Sequence, residues 1–185
     1  MSMISHYRKG LLTAGLSILL LGTVGCSTNS VVASTDPVVD LEAVVASAAQ
    51  KLVSQPGNFV QGKPFIATSF ADIDDLSQSS TLGRVLGEQF SSAMTQAGLP
   101  MVEVKMREAL FIKEGTGELL LSRQLHNIVQ AHDAQAVVVG TYAMGGSNVY
   151  VTVRLVRTSD NLILAADDFI IPINRDMRSL LPRRR

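Results

Sequence analysis

The sequence predicts an α/β (α+β) domain with a single mixed sheet of about five strands and three helices. Three observations carry that expectation. Apolar residues recur at helical spacing in three segments, and short runs rich in Val, Ile and Phe separate those segments. In the last third the pattern changes to two alternating stretches joined by turn residues, the mark of an antiparallel hairpin. The resulting order is helix, strand, helix, strand, helix, strand, strand, strand. It implies two right-handed crossovers followed by hairpins on one sheet.

Each element has a local reason. Asp36 is read as an N-cap with Pro37 at the first helical position, and Leu41, Val44, Val45, Ala48 and Leu52 form one face of a helix ending near Ser54, before Pro56 and Gly57. Residues 64–70 read as a strand, and the acidic, serine-rich stretch 72–80 as a loop. The second helix carries Leu82, Val85, Leu86, Phe90, Ala93, Met94 and Ala97 on one stripe, with Gly98 as its C-terminal cap. Residues 101–106 alternate as a strand, and 107–117 form a loop rich in charge and glycine. A third helix starts near Ser122 and turns Leu125, Ile128 and Val129 inward. Residues 136–143 are apolar enough for a central strand. A turn at Gly145, Gly146, Ser147 and Asn148 leads to a strand over 149–156, and a turn at 159–161 leads to the last strand, 162–171. This final pair offers an exposed edge that a partner chain can extend, with Asp167 and Asp168 as the charges guarding it.

The first 25 residues have a different character. Arg8 and Lys9 precede an apolar and small-residue run over 11–24, then Gly25 and the only cysteine, Cys26. That run is shorter than the roughly 20 apolar residues a bilayer span requires, and its order is that of a cleaved export signal. Residues 1–25 are therefore expected to be a lipoprotein signal peptide, 26–35 a tether, 36–174 the folded domain and 175–185 a basic C-terminal tail. Bacterial lipoprotein signals usually place Leu three residues before the cysteine. Here Thr23 holds that place, with Leu21 further upstream. Acylation of Cys26 adds a thioether diacylglycerol and an amide-linked acyl chain such as palmitate. At about 0.8 kcal/mol per buried CH₂, three chains exceed the marginal hold of one myristoyl group. The other reading of the signal, a secretory cut beside an unmodified thiol, is still export. Ser27 after the cysteine, in place of Asp, directs a Gram-negative lipoprotein to the outer membrane.

Without the signal, the chain has 14 basic and 16 acidic side chains, a formal charge of −2, which gives no footprint for a nucleic-acid partner. The remaining 160 residues are one domain's worth. With a lone cysteine, no disulfide within the chain is available, so packing must hold the fold.

No catalytic constellation is legible. His126 and His132 stand six residues apart on one helix, so their rings project from different faces and make poor co-ligands. Asp133 adjoins the second. Asp72, Asp74 and Asp75 suggest calcium, but the twelve-residue loop template has Ser77 where it requires Gly and Gly83 where it requires Glu. Gly83, Gly87, Gly115 and Gly117 build no phosphate cradle, because no Gly-Lys-Ser/Thr follows; close helix packing accounts better for the first two. No catalytic, cofactor-binding or metal residue is therefore expected, and no enzyme. The C-terminal Arg183, Arg184 and Arg185, with Arg175 and Arg178 before them, are the candidate contact with an anionic surface, either lipid head groups or wall polymer.

Four groups of residues together carry a family resemblance over roughly 41–171: Leu82-Gly83-Arg84 with Glu88-Gln89-Phe90; Gly117-Glu118 with Leu121-Ser122-Arg123; Val139-Gly140-Thr141-Tyr142; and 151–155 with Arg154. The chain resembles the FlgO family of flagellar outer-membrane lipoproteins. That resemblance implies a domain similar to the amino-terminal domain of TolB and a non-enzymatic part in the periplasmic ring around the flagellar basal body. It also implies an outer-membrane lipid anchor, a homo-oligomeric ring, and the ring proteins FlgP and FlgT as companions. It brings no catalytic residues. The alternative from another class is an outer-membrane lipoprotein that regulates a peptidoglycan synthase or other envelope assembly. The short tether ranks it second.

Overall fold

The computed structural model describes residues 36–55, 57, 59–103, 111–113, 119–121 and 123–182. The signal segment, Cys26, the tether and Arg183 to Arg185 lie outside them. The elements are α1 (Leu41–Ser54), β1 (Phe65–Ala67), β2 (Ala71–Asp72), β3 (Asp75–Ser79), α2 (Thr81–Gln96), β4 (Met101–Val102), β5 (Phe111–Lys113), β6 (Leu119–Leu121), α3 (Arg123–His132), β7 (Ala136–Met144), β8 (Asn148–Arg157), β9 (Ile163–Pro172) and α4 (Arg175–Leu180). The fold is the expected mixed α/β class.

β7 is the spine of the main sheet. β8 runs antiparallel along its whole length, and β9 runs antiparallel to β8. On the other side β1 and β2 lie parallel to successive parts of β7, with β4 parallel to β1 and β3 antiparallel to β2. The five strands read from sequence thus form the rows β4, β1, β7, β8 and β9, while β2 and β3 complete a sheet of seven. β5 and β6 form a separate antiparallel pair.

The strand expected over 64–70 is broken, and the break matters. Phe65 pairs with Ala136 and Ala71 with Thr141, so the first strand carries one residue more than β7 between those points. Thr68 still donates its N–H and its hydroxyl to Val138 O, at 3.0 and 3.2 Å. Phe70 N–H turns away from the sheet and donates to Gly83 O on α2 at 2.9 Å.

One face of the sheet is covered by α1 and α2. Val45, Ala48, Ala49 and Leu52 of α1 and Leu82, Leu86, Phe90 and Met94 of α2 pack on Phe65, Phe70, Val138, Tyr142, Val151, Val153 and Leu155. α3 covers part of the opposite face, where Leu125 is fully buried and Ile128 and Val129 pack beside Ile66, Ala71, Val137 and Val139. The expected inward side of α3 is the observed one.

Four local expectations change. α1 is capped by Asp40, whose Oδ1 accepts from Ala43 N at 2.9 Å, and not by Asp36; the stripe it must bury begins at Leu41, and Val38 stands 99% exposed. The 72–80 stretch is not all loop. Asp72 Oδ1 accepts from Asp74 N at 3.0 Å, closing an Asx turn that folds β3 back onto β2. The pairing is a backbone matter, so its polar composition gave no strand signal. The 107–117 loop likewise contains β5. The segment read as a basic tail opens with α4, capped by Asn174 Oδ1 on Met177 N at 2.8 Å, with Met177 buried. Six residues with one buried side chain carry no readable period. Gly98 caps α2 as read: at φ 88° its N–H reaches Thr95 O, and Leu99 N–H reaches Met94 O.

Candidate functional site

The motif residues on α2 and β7 form a packing device. Gly83 and Gly87 sit one turn apart on α2, facing the break at 68–70. A Cβ on Gly83 would overlap the carbonyl oxygen of Phe70, and one on Gly87 would come within 2.6 Å of that of Thr68. A Cβ on Gly140 would overlap the Phe70 ring, so that glycine admits an aromatic side chain and not a helix. Phe70 is then held between Gly140 and Phe90, its ring stacked on Phe90 at 5.2 Å. These residues set how closely α2 approaches the sheet, and they hold no ligand.

The titratable groups do not converge. His126 and His132 are both exposed on α3, and Asp133, just past its end, pairs with Lys63 at 2.9 Å. Asp72 serves the turn before β3. Among the described residues, no three His, Cys, Asp or Glu side chains stand where they would hold a metal ion. Tyr142 is the one perturbed group. Burial raises its phenol above the ordinary value, and the Asp72 carboxylate adds to that, against a smaller opposing pull from Ser80. Ser80 Oγ accepts from Gly83 N at 2.8 Å, and the Tyr142 hydroxyl itself has no partner in hydrogen-bonding geometry among the described residues.

Two surfaces remain open. β8 sends Val149, Val151, Val153 and Leu155 into the α1–α2 core, so Tyr150, Thr152 and Arg154 emerge on the other face. No described helix covers them there. Tyr150 and Ile170 are direct cross-strand partners, 51% and 54% exposed. Arg154 on β8 and Asp168 on β9 share this face, and neither has an ion-pair partner among the described residues. The outer edge of β9 is partly closed. Gln55 mimics a neighbouring strand, donating Nε2–H to Ala166 O at 2.9 Å and accepting from Ala166 N at 3.1 Å. Asp167 points to α1, where Lys51 pairs with it at 3.1 Å, so of the two expected guards only Asp168 stands on the open face. Sequence alternation located these strands but did not reveal Gln55, whose partner lies 111 residues away.

The second surface is the end where chain entry and exit meet. Asn174, the α4 cap, also donates Nδ2–H to Pro37 O at 3.2 Å. Arg175 and Arg178 are exposed beside it, and a groove of about 300 Å³ runs between α4 and the β7–β8 turn, lined by Met144, Gly145, Ile173, Arg178, Leu181 and Pro182.

A mixed sheet with two helices on one face defines the class, and solved structures share it. The C-terminal domain of LpoB from Salmonella enterica superposes with a TM-score of 0.52 at 11% identity, covering 71% of this chain and 97% of that one. The NMR structure of E. coli LpoB gives 0.50 at 10% identity, covering 92% and 88%. No curated protein sequence matches. The family is explicit: residues 46–176 match the FlgO protein family, and the chain belongs to it. That span runs from within α1 into the start of α4 and contains the glycine–Phe70 device and both strands of the open face.

Proposed function

We propose that the protein is a non-enzymatic lipoprotein of the outer membrane, anchored by acylated Cys26, and a structural component of the periplasmic ring around the flagellar basal body. The observation that carries this reading is the FlgO family match over 46–176. A domain whose motif residues serve packing, joined to an export signal ending at Cys26, fits a part that is placed and assembled. Three acyl chains hold the chain at the membrane, and copies packed side by side gain avidity that a single weak contact lacks. FlgP and FlgT are the companions this reading entails. The alternative, regulation of a peptidoglycan synthase or other envelope assembly, draws on the shared fold. A likeness at 11% identity brings architecture without activity.

Deleting the gene tests the proposal. The expected result is reduced swimming or flagellar retention with normal growth, and loss of periplasmic density around the rod in electron cryotomography. Unchanged swimming together with an unchanged basal body would remove the flagellar role. Cys26→Ser should move the protein out of the membrane fraction.

A further inference from the structure

We infer that the α4 end of the domain is a second membrane contact, in which Arg175 and Arg178, with the arginines that follow Pro182, bind the phosphates of anionic phospholipid head groups. The inference rests on the anchored reading of Cys26 and adds a site to it. Three observations converge on this end.

First, chain connectivity places it near the leaflet. At roughly 3.3 to 3.6 Å per residue, the eleven residues from Cys26 to Pro37 hold Pro37 within about 40 Å of an acylated sulfur, whatever path they take. The Asn174 bond to Pro37 O at 3.2 Å fixes the start of α4 at that same point.

Second, these cations are unpaired. At the other end of the sheet Lys63 pairs with Asp133 at 2.9 Å and Arg157 with Asp160 at 3.0 Å. Arg175 and Arg178 have no ion-pair partner among the described residues, although Asp36, Glu42 and Asp176 share this end. Asp40, also here, accepts from the α1 backbone. Arginine's planar fork suits phosphate, and each basic residue at an anionic membrane surface adds to the attraction within a Debye length.

Third, the surface beside Arg178 is amphipathic. The groove that Arg178 borders is otherwise lined by Met144, Ile173, Leu181, Pro182 and two glycines, and Pro182 leads directly into Arg183, Arg184 and Arg185. Apolar floor with cationic rim matches the interface of a phospholipid better than the wholly polar strands of a wall polymer.

The test reconstitutes the lipidated chain in vesicles containing phosphatidylglycerol or in vesicles of phosphatidylcholine alone. A fluorophore is placed at Ser179→Cys on α4, with Ser159→Cys at the far turn as control, and quenched by a nitroxide-labelled lipid head group. The Ser179 position should be quenched at least twofold more in the anionic vesicles. The excess should vanish in about 0.5 M salt, where the Debye length falls to a few ångströms, and in the chain with all five arginines replaced by Gln. The Ser159 position should not respond.

Equal quenching of Ser179 in both vesicles, or no change on arginine replacement, would overturn the inference. Arginine-dependent binding to isolated sacculi without any vesicle difference would overturn it in favour of wall carboxylates. Failure of the anchor reads differently: Cys26 would show no added acyl mass. Co-sedimentation of the unacylated chain with the two vesicle types would then decide the arginine contact independently.

Discussion

The two faces of the sheet obey different rules. Beneath α1 and α2 every approach is fixed by contact: two glycines admit a strand break, a third admits the Phe70 ring, and Phe90 closes over it. Across the same strands, one residue out of phase, Tyr150, Thr152 and Arg154 meet no described helix. The covered face holds the family's motif residues because close packing tolerates few alternatives. The open half is where sequence can vary at little cost in stability, and so where a contact between chains can be written.

The largest effect should come from the covered face. Phe90→Ala removes a fully buried ring stacked on Phe70 and should cost about 3–5 kcal/mol. Gly83→Ala forces backbone apart and should cost about 1–3 kcal/mol or more. Urea midpoints of the two variants against the unaltered chain measure both. If Gly83→Ala were neutral, the close approach of α2 would not be what that position serves.

A smaller effect is expected at the end where tether and α4 meet. Asn174→Ala deletes the cap on Met177 N and the bond to Pro37 O and should cost about 1 kcal/mol. Hydrogen exchange should report it as faster exchange at Met177 and Arg178, with α2 unaffected.

Tyr142 tests the covered face from within. Its buried hydroxyl lacks a hydrogen-bond partner among the described residues, so Tyr142→Phe should be neutral or stabilising by up to about 1 kcal/mol at neutral pH. The pH dependence follows from the raised pKa. Above the unfolded value near 10, the folded state holds more protons than the unfolded chain, so this group makes stability fall as pH rises; below that value its contribution is level. Denaturant midpoints from pH 8 to about 11 should show that Tyr142→Phe loses less stability than the unaltered chain over the last unit.

What the sequence disclosed divides along the same line. The stripe on α2, the Gly98 cap, the inward side of α3 and the β7–β8–β9 meander were legible because each repeats a period or ends on a residue with special backbone freedom. β3 was not, since Asp75 and Ser79 join the sheet through backbone pairing on an edge. α4 was hidden by its length. The anchor at Cys26 is legible only as sequence. The open face needed coordinates, because alternation shows that a strand has two sides without showing which one a helix covers. Gly140 is a middle case: its need for space was readable, but the occupant, a ring from the strand break, was not.

The smallest expected effect on stability is the most informative about function. Tyr150→Thr with Ile170→Thr trims two half-exposed side chains, keeps strand-compatible residues at both positions, and should shift stability by no more than about 0.5 kcal/mol. Under the proposed assembly, the same pair of changes should reduce incorporation of the protein into basal bodies, read by immunoblotting of purified basal bodies. A loss of stability comparable to Phe90→Ala would erase the distinction between the faces. Normal incorporation at unchanged stability would move the contact between copies elsewhere, to the edge at Asp168 and Ile170 that Gln55 leaves open beyond Ala166.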